Sequence, residues 1–159
     1  MPQDDGVPSG QMGDHEATCA LLRGRSVRTL AWLGDAEFER AVRTRLALRG
    51  DHPVDRLDGA RARVVRSEAQ AALLAVIEAD LEAAEVEVVR RGRNASVRAG
   101  GRAVRDVKAY RAATGFEALV GWWAAAGPGG WCRFEATVGA ALDSALDDAL
   151  ERSRKPRRG

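Results

Sequence analysis

Residues 26–48 read SVRTLAWLGDAEFERAVRTRLAL. Leu30, Leu33 and Ala41 recur at helical spacing, and RGDHP at 49–53 closes the run, so the stretch predicts one long amphipathic helix. One residue breaks its pattern: Asp35 stands inside the apolar run, next to Gly34. The same break recurs in DVKAYRAATGFEALVGWWAAA, residues 106–126, where Glu117 follows Gly115 by two positions. A lone ionised carboxylate is costly to bury unless a cation or a hydrogen-bond network meets it. Glycines beside the acids leave no side chain to hold two helices apart, so both carboxylates can reach one ion. Hard oxygen ligands with no His or Cys nearby favour magnesium. A pair of boundary acids reaching solvent or arginine partners fits the spacing equally well.

The remaining chain supports the same fold class. Residues 61–77 are Ala-rich, with Val64, Val65, Ala72 and Val76 in helical register. Asp80 is placed to cap a following helix, LEAAEVEVVRRG, whose Glu82 and Glu85 suit its first turns. NASVRAGGRA at 94–103 reads as a loop, GPGG at 127–130 ends the helix carrying Glu117, and a last helix is predicted from Trp131 to Arg152. No period-two alternation bounded by turn residues supports a strand, and the class is all-α. Residues 1–15 and 153–159 lack periodicity and are predicted to be disordered, leaving one domain over 16–152.

Composition narrows the function classes. The chain has 159 residues, 45% hydrophobic and 30% charged, with 25 Lys plus Arg against 23 Asp plus Glu, so its formal charge of +2 points to no partner. Local clustering does. From Arg90 to Arg111 eight bases, among them Arg91, Arg93 and Arg111, stand against Asp106 alone. That is the footprint of a polyanion contact, and the planar fork of arginine suits phosphate. No apolar run approaches the roughly 20 residues of a bilayer span, so no membrane association is expected. The acidic N-terminal stretch MPQDDGVPSGQMGDH lacks the features of a signal peptide, which predicts a cytoplasmic protein. Cys19 and Cys132 are expected to be reduced, buried fillers.

Other chemistry finds no anchor. His15 falls in the predicted disordered start and His52 precedes Pro53 in a loop, so neither has metal-ligand spacing. No phosphate-binding glycine loop is present. Trp122 and Trp123 end an apolar helical run and predict core or a dimer interface rather than a base-stacking platform. Trp32 and Phe38 add more apolar surface than a short Ala-rich domain is expected to bury, which places the 26–48 helix at such an interface.

LAWLGDAEFE, RRGRNA and DVKAYRAATGFEALVGWW, in that order and spacing, resemble Mini-ribonuclease III, the short bacterial relative of ribonuclease III without a double-stranded-RNA-binding domain. The resemblance covers about Ser26 to Val138. It implies the all-helical ribonuclease III endonuclease fold, a homodimer, and magnesium-dependent cleavage of double-stranded RNA to 5′-phosphate and 3′-hydroxyl ends. It further implies processing of ribosomal RNA precursors, particularly large-subunit (23S) rRNA. On it, Asp35 and Glu117 are the catalytic and metal-binding carboxylates. Because A-form RNA hides its base edges, Arg91, Arg93, Asn94 and Arg111 are candidates for backbone and 2′-hydroxyl contacts. Arg111 fits a structural ion pair beside Glu117 equally well. The family's VSAxxQA segment survives as VRSEAQA, keeping Val65, Gln70 and Ala71, while His52-Pro53, Leu57-Asp58 and Glu37 depart from its usual pattern. The rival from another class is a non-catalytic RNA-binding or ribosome-associated protein on the same fold.

Overall fold

The computed structural model describes residues 9–95 and 106–154. Seven α-helices follow in chain order: α1 Ser9–Arg23, α2 Val27–Leu48, α3 Val54–Val65, α4 Ser67–Ile77, α5 Ala83–Asn94, α6 Val107–Ala124 and α7 Pro128–Arg152. A 3-10 turn, Glu78–Asp80, precedes α5, and no strand occurs among the described residues. The all-α class holds.

Local chemistry starts each helix. The Ser26 hydroxyl accepts from the Thr29 N–H at 3.2 Å to open α2, and the Asp106 carboxylate accepts from the Ala109 N–H at 3.0 Å to open α6. Pro128 occupies the first turn of α7, where its missing N–H costs nothing. The last helix therefore begins three residues before the predicted Trp131. The cap of α5 is Glu82 rather than Asp80: Glu82 and Glu85 form a reciprocal capping box, while Asp80 ends the 3-10 turn.

Three further expectations need correction. The predicted helix over 61–77 is two helices, α3 beginning at Val54 and α4 at Ser67, broken at Arg66 by an extended backbone with ψ 155°. The Arg66 carbonyl then accepts from Ala69 and Gln70 N–H groups, and the Gln70 amide takes the Val65 carbonyl at 3.1 Å, so the break leaves these groups satisfied. Residues 9–15, assigned to a disordered leader, are the first turns of α1. That helix meets the body where His15 and Cys19 lie against Gly127 and where the Arg23 guanidinium stacks 4.2 Å over the Trp122 ring. Neither free cysteine is buried, since Cys19 is half-buried and Cys132 exposed. The predicted loop over 94–103 falls outside the described residues from 96 onward, as do the segments 1–8 and 155–159.

Helix α6 is the axis of the core, packed by α2, α4, α5 and α7. Phe116, Leu119, Val120 and Trp123 turn inward, with Phe38 edge-on to Phe116 at 5.1 Å and Phe134 edge-on to Trp123 at 6.0 Å. Phe38 is thus core and not interface, whereas Trp32 on the same helix is 78% exposed. At the far end of α2, Arg45 and Arg49 reach Glu135, Asp143 and Asp147 of α7.

Among the described residues, one ionised group lies in this core. Glu85 is 4% exposed, and its carboxylate accepts from the Trp123 indole N–H, twice from Arg133 and once from the Glu82 backbone N–H, each at 2.8 Å. Burial alone would raise its pKa, but the Arg133, Glu82 and Trp123 hydrogen bonds and the Arg133 charge outweigh it and hold the carboxyl down to about 2. Glu85 therefore ties α5 to α6 and α7 as a charged clamp.

Candidate active site

The crossing of α2 and α6 brings the two anomalous acids together. A Cβ placed on Gly34 would collide with the Glu117 carbonyl and lie 2.7 Å from the Gly121 nitrogen, while one on Gly121 would sit 2.8 Å from the Leu30 carbonyl carbon. Only glycine at both positions lets the two backbones touch. The sequence reading named the right glycine on α2 and the wrong one on α6. Gly115 instead faces α5, where a Cβ on Gly92 would lie 2.7 Å from its Cα. Gly121 carried a readable signal, a second glycine in the same apolar helix.

Asp35 follows Gly34 and is exposed, whereas Glu117 is half-buried at the crossing. Burial, and then the charge of Asp35, push the Glu117 carboxyl up to about 7, with a hydrogen bond from Gln70 acting in the opposite direction. A half-buried carboxylate that feels the charge of a second one is relieved by a proton or by a cation. No group of three or more His, Cys, Asp or Glu residues placed to hold a metal exists among the described residues. Two carboxylates are a donor set of the kind suited to a hard divalent ion that keeps most of its water.

The residues predicted to touch RNA divide. Arg91 and Asn94 are exposed on the last turn of α5, and Arg111 is exposed on α6. Arg111 makes no ion pair with an acid among the described residues. Arg93 is half-buried and bridges to Glu78, and Arg90 pairs with Glu87. The basic stretch is therefore less free than its charge count implies. Its members Arg98, Arg102 and Arg105 lie outside the described residues.

Comparison with known proteins places this geometry in a family. The Ribonuclease III domain matches residues 28–128, a span that includes α2 through α6 and both carboxylates. A Mini-ribonuclease 3 of Symbiobacterium thermophilum is 46% identical over 99 residues, covering 62% of this chain and 75% of the relative. The chain belongs to the Mini-ribonuclease 3 family. A second member, from Desulfitobacterium hafniense, is 47% identical over 95 residues, 60% of this chain and 59% of that one. A third, from Synechocystis, is 37% identical over 125 residues, covering 77% and 83%. A crystal structure from Fusobacterium nucleatum superposes with a TM-score of 0.64 over 75% of this chain and 93% of its own, and at 22% identity it supports the fold. Membership in Mini-ribonuclease 3 makes the chain an endoribonuclease. Helix α1 and nearly all of α7 lie outside the matched domain.

Proposed function

We propose that this Mini-ribonuclease 3 chain cleaves double-stranded RNA in the cytoplasm, with Asp35 and Glu117 as its catalytic carboxylates and magnesium as its cofactor. The observation that carries the reading is the Gly34–Gly121 crossing, which sets two acids against one another at a helix contact where a shared cation resolves their repulsion. Asp35 and Glu117 would hold the ion, directly or through water. What magnesium supplies when bound is Lewis-acid polarisation of a phosphodiester and a more acidic water. Asp35, on the exposed side, presents its charge to incoming solvent and substrate. Glu117, on the half-buried side, is carried by the helix whose backbone meets α2 at Gly34, so the crossing sets where its carboxylate starts from.

Arg91, Asn94 and Arg111 are the exposed donors for phosphates and 2′-hydroxyls, and Arg93 joins them on leaving Glu78. Such contacts read the shape of a duplex and not its sequence. A duplex has two strands, so one encounter that cuts both calls for two sites related by a twofold axis. The exposed Trp32 on α2 offers the apolar surface for that homodimer. Precursor ribosomal RNA, rich in duplex stems, is the natural substrate on this reading.

The test is incubation of the protein with a generic RNA duplex and with its single strands, with and without magnesium, followed by end analysis. The expected result is cleavage of the duplex only, in magnesium only, leaving 5′-phosphates. Binding without cleavage under every divalent ion would instead support a non-catalytic RNA-binding protein.

A further inference from the structure

Arg93, in the last turn of α5, is held at two points. A Cβ on Gly115 would lie 3.2 Å from its Cγ, so the aliphatic stem is seated on α6 where a side chain is missing. Its Nη2 then donates to Oε1 of Glu78, which opens the 3-10 turn ahead of α5. The pair lines a groove together with Leu81, Val86, Val89, Arg90 and Asn94, and its side chains are 41% and 44% exposed. Solvent, and an anion in it, therefore reaches the guanidinium. An ion pair this open contributes little to stability. The junction it spans has other fastenings: Glu82 and Glu85 cap α5, and the Arg133 guanidinium donates to the Asp80 carbonyl at 2.7 Å and to Glu85 at 2.8 Å. What Glu78 offers the planar fork of Arg93 is a pair of anionic oxygens, which is also what a phosphodiester presents.

We propose that Glu78 is a built-in competitor of the RNA backbone: its carboxylate occupies on Arg93 the place that a phosphate of the duplex takes, and binding exchanges one anion for the other. The inference rests on the reading of Arg91, Asn94 and Arg111 as donors that meet RNA. Because one anion replaces another, the exchange costs only the modest worth of an exposed pair, and a duplex already gripped by neighbouring donors brings its phosphate at high effective concentration. Glu78 thereby lowers the affinity for substrate and product alike, and it returns to Arg93 as the duplex leaves.

Glu78→Gln keeps the volume and removes the charge, and Arg93→Ala removes its partner. Affinity for one labelled RNA duplex is measured by fluorescence anisotropy at low salt, without divalent ion so that no strand is cut, for wild type, each single variant and the double variant. Glu78→Gln is expected to tighten binding about fivefold, the upper end for release from an exposed ion pair, and less than about twofold when Arg93 is replaced. Arg93→Ala alone is expected to lower the slope of log affinity against log salt by roughly one unit. Unchanged affinity in folded Glu78→Gln would overturn the proposal, as would an equal gain in both backgrounds, which reports only the loss of a negative charge near a polyanion. An unchanged salt slope in Arg93→Ala would overturn it too, and would leave the pair a fastening of α5. Arg91→Ala is run alongside. If wild type binds no duplex, the RNA reading itself falls and the competitor with it. If Arg91→Ala weakens binding while Glu78→Gln leaves it unchanged, only the role of Glu78 falls.

Discussion

Two glycines and two acids carry the proposed site at the scale of single residues. Gly34→Ala places a methyl group where the Glu117 carbonyl already sits, so α2 must separate from α6. The expected cost is about 3 kcal/mol, at the upper end for overpacking a close contact, and chemical denaturation measures it. Cleavage should fall further than the folded fraction does, because the carboxylates part with the helices. Glu85 supports a prediction of another kind. Its carboxyl is held at about 2 when folded, against an unfolded value of about 4.3, so its contribution to stability is complete above the unfolded value and disappears as pH falls through the folded one. Glu85→Ala should therefore cost about 3 kcal/mol at neutral pH, and its deficit relative to wild type should shrink steadily below about pH 4. A deficit independent of pH would show that Glu85 acts by packing alone. Asp35 and Glu117 stood out as candidates because each breaks an apolar helical pattern, and the structure sets them on the two helices that cross at Gly34 and Gly121. The burial of Gln70 was not legible, since one polar residue near the start of an Ala-rich helix reads as surface.

Among the elements, α2 and α6 were readable almost to the residue, each bounded by a capping side chain and each long enough for its apolar stripe to register. The break between α3 and α4 escaped because VVRSEAQA carries neither Gly nor Pro, and the carbonyl it frees at Val65 is taken by a side chain, the Gln70 amide, that no local pattern announces. Helix α1 escaped because none of its described side chains is buried, which leaves no apolar stripe to see. This weak attachment has a consequence. Deleting residues through Arg23 should lower stability by only about 1 kcal/mol, the worth of the Arg23–Trp122 stacking, and should leave cleavage intact. A loss of several kcal/mol in thermal or denaturant unfolding would show that α1 belongs to the core. On α5, Arg91→Ala should weaken all duplexes alike and lower the slope of log affinity against log salt by roughly one unit, whereas a loss confined to one sequence would reveal base readout.

For the whole molecule, shape-based recognition needs a second copy to cut the second strand. Light scattering should give about twice the 17.1 kDa chain mass. Trp32→Lys, which puts a charge at the 78% exposed position, should shift the protein towards monomer without unfolding it. A monomeric wild type that cuts both strands in one encounter would contradict the twofold arrangement. The all-α architecture was legible from helical periodicity and the lack of alternating runs. The exposed apolar position on α2 was legible only in half, because periodicity marks both Trp32 and Phe38 as apolar without saying which of them meets α6. The central claim, that the carboxylates at the α2–α6 crossing are the catalytic pair, is tested most directly by single-turnover cleavage of one RNA duplex by wild type, Asp35→Asn and Glu117→Gln in magnesium. The account predicts that each variant folds and binds the duplex like wild type yet cleaves more than about a hundredfold more slowly, and substantial cleavage by either would contradict it.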